Sequence, residues 1–209
     1  MRIPDEPNPL MHTKDMEKFS SKTGKFFKKT WDFLKSDSWS ALLVDFIIAF
    51  VIIKFIFFPL LSLATGAALP LVIVESCSMY HSQSFQQILS DPIYSNYNIG
   101  FNDAQKWNFK NGINKGDIIF VISPKNLKAG DVIIFEAGTQ NPIIHRIIKI
   151  DNGIITTKGD HNAGLLEVEK NIRQENVYGK AVFRIPYLGW IKLVFFDIFK
   201  APGERGFCV

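Results

Sequence analysis

The chain has few of the residues that hold metals or cross-link small domains. Only two of its 209 residues are cysteine, Cys77 and Cys208, and no Cys-x-x-Cys pair occurs. This excludes a disulfide framework and a cysteine zinc knuckle. The sequence also lacks a His-Glu-x-x-His motif and a glycine-rich phosphate loop. We therefore expect neither a metal nor an organic cofactor.

The charge balance is nearly even. The chain has 24 basic and 20 acidic residues and a net charge of +4, so we expect no nucleic-acid partner. A composition of 47% hydrophobic and 21% charged residues excludes intrinsic disorder. The length suits one domain of ordinary size, or a smaller domain with membrane attachments.

One long apolar run occupies residues 39–63. It exceeds the roughly 20 residues that a membrane-spanning helix needs. Lysines are frequent just before this run, whereas no Lys or Arg occurs between Lys54 and Lys106. The positive-inside rule then predicts a cytoplasmic basic tail at residues 1–38 and an exported remainder. A cleaved signal peptide is the alternative, but the charged region and the apolar run are both too long for one.

Two amphipathic segments flank the exported part. Apolar residues recur every three to four positions within residues 14–34, which predicts either a membrane-surface helix or a solvated extension of the span. Residues 1–12 contain three prolines and are expected to be a mobile tail. Residues 185–199 are too short to cross a bilayer comfortably. For the segment 186–209 we favour a membrane-associated or domain-packed helix, with a second span as the alternative.

The exported part, residues 64–185, has the pattern of a β domain. Short β-branched runs are broken by Gly, Asp and Asn, which predicts a mostly antiparallel sheet or partial barrel behind the N-terminal transmembrane helix. The predicted strands are 71–75, 117–122, 131–136, 142–150, 153–158 and 177–185. Residues 82–115 interrupt this pattern as a polar, aromatic insertion without a sustained period.

A histidine in one of these strands is the best candidate for a base. Asn152-Gly153 predicts a two-residue type I′ hairpin turn between two strands. Counting back from that turn, His145 lies directly opposite Asp160. Directly opposed residues approach closely enough for a carboxylate to orient an imidazole. The pairing requires that no bulge lies between the turn and Asp160.

Ser78 is the candidate nucleophile, because it follows the first exported strand. A turn at the end of a strand can expose a hydroxyl and direct backbone N–H groups at a developing oxyanion, as acyl transfer requires. Cys77 is an alternative nucleophile. Neighbouring side chains on a strand point in opposite directions, however, so Cys77 and Ser78 cannot both face one base.

Five blocks in this order resemble type I signal peptidases of the archaeal and endoplasmic-reticulum subgroup. Glu-Ser-Cys-Ser-Met at 75–79 is similar to the family's Ser-Gly-Ser-Met block, and two Gly-Asp pairs begin the next strands. Pro-Ile-Ile-His-Arg, with His145 where the bacterial branch has lysine, follows them. The remaining two blocks are Lys-Gly-Asp-His-Asn at 158–162 and the closing segment 179–189.

The resemblance implies a membrane-bound serine endopeptidase that removes signal peptides by acyl-enzyme chemistry. Ser78 would be the nucleophile, His145 the general base and Asp160 the residue that orients it. The Ser78 N–H and the Ser76 hydroxyl would form the oxyanion hole. Expected partners are exported precursor proteins, the lipid bilayer of a cell membrane or endoplasmic-reticulum-type membrane, and the secretion translocon.

The sequence departs from the family pattern in four respects. His81 replaces a usual proline and Cys77 a usual glycine. The stretch from Met79 to Gly116 is much longer than in the family, and the family's second acidic residue has no aligned Asp, so that Glu167 is the nearest candidate. Alternative functions are a protease of the same fold with one dedicated client, or a catalytically silent membrane-anchored domain that binds peptides.

Overall fold

The computed structural model describes residues 28, 32, 36, 38–139 and 141–208. The predicted tail at 1–12 and nearly all of the predicted amphipathic segment 14–34 lie outside the described residues. By its internal contacts the chain divides into two units that meet between Phe57 and Phe58. The second unit contains the whole sheet.

The first described element is a helix of 27 residues, α1 (Trp39–Thr65), which is long and apolar enough to cross a membrane. Its middle turn, Ile53–Phe57, has π-helical hydrogen bonding. Pro59 follows that turn. Because proline has no N–H and its ring displaces the carbonyl four residues earlier, a wider turn before it accommodates the break in the hydrogen-bond ladder.

The second unit is built on a seven-stranded sheet in which every pairing is antiparallel, so the predicted mostly β fold is confirmed. The spatial order of the strands is β1-β2-β7-β3-β4-β5-β6. Their bounds are β1 Leu71–Ile73, β2 Ile118–Ile122, β3 Val132–Phe135, β4 Ile143–Asp151, β5 Ile154–Lys158, β6 Ile172–Arg173 and β7 Val177–Ile185. The two-residue β6 was not predicted, because so short a strand has no periodicity.

Strand β3 is buried on both faces. Val132 and Ile134 belong to one apolar cluster, whereas Ile133 and Phe135 belong to another. Alternate side chains of a strand point to opposite faces, so β3 connects two cores. His145 of β4 pairs with Ile133 and therefore stands in the most enclosed part of the sheet.

The insertion is folded and has a small core of its own. It forms three short helices, α2 (Phe85–Leu89), α3 (Pro92–Asn96) and α4 (Phe101–Ala104). Ser84 and Gln87 form a capping box on α2, and Asp91 caps α3. Helices of four or five residues are too short to show a helical period, which explains why they were not predicted. Tyr94 and Trp107 are the largest side chains of this core.

The C-terminal segment begins with a short helix, α5 (Trp190–Phe196), followed by single turns at Asp197–Phe199 and Pro202–Glu204. Seven helical residues rise only about 10 Å, a third of the hydrocarbon thickness of a bilayer. Within the described residues α1 is the one candidate span, so a second span at 185–199 does not fit. The side chains that α5 and the following turn expose include Ile191, Val194, Phe195, Phe196, Ile198 and Phe199.

Gly130 and Gly138 both have positive φ angles, +92° and +69°, but only Gly130 faces a crowded site. A β carbon on Gly130 would lie 2.2 Å from Trp107 Nε1, whereas nothing lies within 4 Å of one on Gly138. Both substitutions by Ala incur the backbone cost of about 1–2 kcal/mol. We predict that G130A lowers the free energy of unfolding by about 2 kcal/mol more than G138A, because Trp107 must move. Thermal unfolding in detergent measures the difference, and equal losses would contradict the packing argument.

Candidate active site

Ser78 lies in a tight turn directly after β1. The turn closes with a hydrogen bond of 3.0 Å from the Tyr80 N–H to the Cys77 carbonyl oxygen. Two further backbone bonds hold it from outside. The His161 N–H donates to the Ser78 carbonyl at 2.9 Å, and the Ile113 N–H donates to the Met79 carbonyl at 2.8 Å. Met79 is fully buried in the core, so the backbone around the Ser78 hydroxyl is fixed on both sides.

His145 is buried on β4, and its acidic partner is Glu169. The His145 Nδ1 atom lies 2.6 Å from Glu169 Oε1, which is ion-pair distance, although the pair is not aligned as a regular hydrogen bond. Glu169 Oε1 also accepts the Gly159 N–H at 2.7 Å, and Oε2 accepts the Leu166 N–H. Burial acts to raise the pKa of Glu169, but the His145 contact and these N–H donors outweigh it and lower the pKa. Glu169 is therefore a carboxylate at neutral pH.

The other ring nitrogen of His145 points toward Gly159. A β carbon on Gly159 would lie 2.8 Å from His145 Nε2 and 2.5 Å from the Asn162 side chain. Any larger residue at this position would therefore displace the imidazole. The glycine of the Lys-Gly-Asp block is needed for this close approach.

The predicted pairing of His145 with Asp160 is wrong, because β4 contains a bulge. Next to the hairpin turn the register is as predicted, with Asp151 opposite Ile154. Ile148 is then skipped, and beyond it Arg146 pairs with Lys158. The position opposite His145 consequently falls on Gly159 rather than Asp160. Ile148 is buried in the core of the insertion, and this packing explains why the bulge occurs at Ile148.

Asp160 instead binds Arg146, the residue next to His145. Asp160 Oδ1 accepts from Arg146 Nε at 2.9 Å, and Oδ2 accepts from Nη2 at 2.7 Å. The Tyr94 hydroxyl donates to the same carboxylate at 3.2 Å. Burial acts to raise the pKa of Asp160, but the Arg146 charge and the hydrogen bonds outweigh it and hold that pKa well below its ordinary value.

His81 is the third partner of Asp160. Its Nε2 lies 2.8 Å from Asp160 Oδ2, and its Nδ1 lies 3.0 Å from the Lys110 carbonyl oxygen. Both neighbours are oxygen acceptors, so each of these contacts needs His81 as the donor. The residue that replaces the family's proline thus connects the end of the nucleophile turn to Asp160 and to the insertion.

Glu167, the predicted secondary acid, does not contact His145. Its side chain is 87% exposed and forms a surface ion pair with Lys170 at 2.6 Å. The predicted acid is therefore two positions away from Glu169, the glutamate that the fold buries. Both lie in one turn of 3₁₀ helix, Glu167–Glu169, in which Glu169 is the buried residue.

Ser78 and His145 line the same open cleft, which has a volume of about 1060 Å³. The Ser76 and Ser78 hydroxyl oxygens are 3.2 Å apart, so the two side chains contact each other, and the oxyanion role of Ser76 stays a prediction. Within the described residues no hydrogen bond joins Ser78 Oγ to His145. Such bonds often tighten only in the complex with substrate. The part of the chain that the structure describes contains no cluster of three or more His, Cys, Asp or Glu suited to a metal.

Cys77 is not a free thiol, because it forms a disulfide with Cys208. The alternative in which Cys77 is the nucleophile is therefore wrong for this structure. The two α carbons are 5.6 Å apart, although 131 positions separate the residues in the sequence. Two lone cysteines so distant carried no signal that could have predicted the bond. It joins the residue before Ser78 to the C-terminal end of the described chain.

We predict that replacing Asp160 by Asn lowers stability rather than acting on His145. The change leaves the buried Arg146 charge without its anion, which costs about 3–5 kcal/mol. Because the folded-state pKa of Asp160 is depressed, its contribution is complete above the unfolded value, about 3.9, and is lost as pH falls further. The difference between wild type and D160N in thermal unfolding should hold from pH 7 to 5 and shrink below pH 4. A difference that does not change with pH would contradict this account.

Comparison with known proteins agrees with the site. No protein-family model matches the chain. The chain is similar to the signal peptidase complex catalytic subunit SEC11 of Saccharomyces cerevisiae strain YJM789, with 28% identity over 152 residues, covering 66% of this chain and 73% of the relative. SEC11 of strains RM11-1a and JAY291 matches with the same values. The predicted resemblance is confirmed: the chain is homologous to SEC11, a type I signal peptidase of the endoplasmic-reticulum type.

Proposed function

We propose that the protein is a membrane-anchored serine endopeptidase that removes signal peptides from exported precursors through an acyl-enzyme. The observation that carries the proposal is the arrangement of Ser78 and His145 on one cleft, with the buried Glu169 carboxylate 2.6 Å from Nδ1 of the imidazole. A hydroxyl, a base and an anion that orients the base are the groups that acyl transfer by serine requires.

The proposed reaction begins with transfer of a proton from the Ser78 hydroxyl to His145, next to the Glu169 carboxylate. His145 Nε2 takes the proton as Ser78 Oγ attacks the scissile carbonyl, and Glu169 stabilises the imidazolium that forms. The Ser78 N–H and the Ser76 hydroxyl receive the developing oxyanion. His145 then returns its proton to the leaving amine, and a water molecule hydrolyses the acyl-enzyme with His145 acting again as base.

The cleft has two free strand edges that can bind an extended peptide. Within the part of the chain that the structure describes, strand β1 pairs with β2 alone, so its other edge is open. The first residues of β4, Ile143–His145, pair with β3 on one side, while the pairing with β5 begins only at Arg146. A precursor can add to these edges as a strand. Small residues one and three positions before the cut would let the peptide lie close to Ser78.

Two apolar surfaces suit a bilayer. Helix α1 has the length and composition of a span, and α5 with its following turn exposes Ile191, Phe195 and Phe199. A short helix with such a face can lie in the membrane interface. The Cys77–Cys208 disulfide is typical of oxidising compartments, which agrees with a cytoplasmic N-terminus and an exported catalytic domain. The secretion translocon would supply the precursors.

The test is cleavage of an exported precursor with Ala one and three positions before the cut, by purified protein in detergent. We predict that S78A and H145A each lose at least about 10³-fold in kcat/KM. S76A should lose roughly 10²- to 10³-fold, as expected for one oxyanion donor. Cleavage by S78A at the wild-type rate would refute the serine mechanism. A folded wild type that cleaves no such precursor would favour a dedicated client or a silent peptide-binding domain.

Glu169 and Glu167 provide a matched pair for the orienting carboxylate. We predict that E169Q lowers kcat by about 10²- to 10⁴-fold with little change in KM, because an amide cannot stabilise the imidazolium. E167Q, two positions away on the exposed side of the same turn, should retain wild-type kcat. Near-normal kcat in E169Q, with loss in D160N and an unchanged D160N melting temperature, would return the orienting role to Asp160.

A further inference from the structure

The last described residues form a strap, here defined as residues 197–208, that is fixed to the catalytic domain along its length. Lys115, a buried lysine, lies 2.5 Å from Asp197 Oδ1 and donates to the Glu204 carbonyl oxygen. Lys200 donates to the Glu75 carbonyl oxygen at 2.9 Å. The disulfide of Cys208 fastens the end of the strap to Cys77.

The strap forms one wall of the catalytic cleft. Gly203, Glu204, Arg205, Phe207 and Cys208 line the same cleft as Ser78 and His145. The same cleft is also lined by β1 and the beginning of β4, whose open edges suit an extended peptide. A peptide that approaches Ser78 along these edges must therefore pass beside the strap.

The attachments divide the strap into a firmly held part and an end that depends on the disulfide. Asp197, Lys200 and Glu204 have the polar contacts just described. Beyond Glu204, the Arg205 Nε donates to the Lys200 carbonyl and the Gly206 N–H donates to Asp197 Oδ2 at 2.7 Å, both within the strap itself. Phe207 packs on Trp190 and Tyr187, with ring centroids 4.6 and 6.1 Å apart. Among the described residues, the disulfide of Cys208 is the one covalent cross-link between this end and the rest of the domain.

We propose that the strap is a specificity-determining wall of the cleft, and that the Cys77–Cys208 disulfide holds it closed beside Ser78. This inference rests on the proposed peptidase function and adds a determinant of substrate choice. With the disulfide formed, the strap excludes precursors with bulky side chains next to the cut. With the disulfide broken, residues 205–208 swing away from the anchored part and the cleft admits them.

A dithiol reductant opens the strap by a balanced exchange. One thiolate of dithiothreitol attacks a sulfur of the Cys77–Cys208 bond, and its second thiol resolves the mixed disulfide. Two electrons and two protons pass to the protein, which gains two thiols, while dithiothreitol becomes a cyclic disulfide. Ser78 and His145 are unchanged by this step, so the chemistry of peptide cleavage continues in the open form.

The experiment compares two precursors that differ only by Ala or Phe at one position beside the cut, tested in turn on each side of the scissile bond. The full-length protein in detergent is assayed oxidised, reduced by dithiothreitol and as C208S. We predict that the Phe-to-Ala ratio of kcat/KM rises about tenfold or more in the reduced protein and in C208S, at one position at least, since steric exclusion from a pocket is worth roughly 10- to 200-fold.

Controls separate this effect from damage to the enzyme. Dithiothreitol should not change the ratio in C208S, which has no disulfide to lose, and reoxidation of the wild type should restore the low ratio. An unchanged Phe-to-Ala ratio of kcat/KM at every position would overturn the proposed role of the strap. A maleimide gel shift that shows both thiols free in the oxidised wild type would also overturn it. Loss of activity on both precursors in equal proportion would also overturn it. Failure of oxidised wild type to cut even the Ala precursor would refute the proposed function instead.

Discussion

The buried guanidinium of Arg146 organises the catalytic domain. Its nitrogens donate to Asp160, to the Gly130 carbonyl before β3, and to the Asn108 and Phe109 carbonyls of the insertion. An arginine removed from water needs a partner for its charge and an acceptor for its N–H groups, and here three distant segments supply them. The insertion is therefore part of the fold of the domain, since it completes the coordination of this charge.

The same arrangement decides which acid reaches the base. Arg146 and His145 are neighbours on β4 and point to opposite sides, so an acid that serves one cannot serve the other. Asp160 neutralises Arg146 and connects it to His81, while Glu169 faces His145 from a separate turn. One carboxylate neutralises the buried guanidinium, and the other is the one that we propose as the group orienting the imidazole. Loss of the Asp160 carboxylate should accordingly lower the stability of the fold, whereas loss of the Glu169 carboxylate should lower kcat.

The sequence allowed the strands and the hairpin turn to be predicted, because each depends on local chemistry. The catalytic roles of Ser78 and His145 stay predictions, and both residues line one cleft. Asn152 and Gly153 both have positive φ angles, as a type I′ turn requires. The bulge was beyond this reasoning, because Ile148 leaves the ladder to pack against Tyr94 and Trp107, some 40 to 55 positions earlier. The alternation of side chains along a single strand carries no information about packing partners in another segment. The resulting register error of one residue led to the prediction that Asp160 contacts His145, whereas it binds Arg146.

The nucleophile turn shows why long-range constraints matter for catalysis. A hydroxyl attacks efficiently only when its backbone is already placed, since any freedom must be lost in the transition state. Around Ser78 that freedom is removed by His161 after β5, by Ile113 at the end of the insertion, and by the covalent bond from Cys77 to the C-terminal strap. These contacts come from three regions of the chain. Releasing the strap leaves the two backbone bonds in place, so the cleft can widen while the serine stays held.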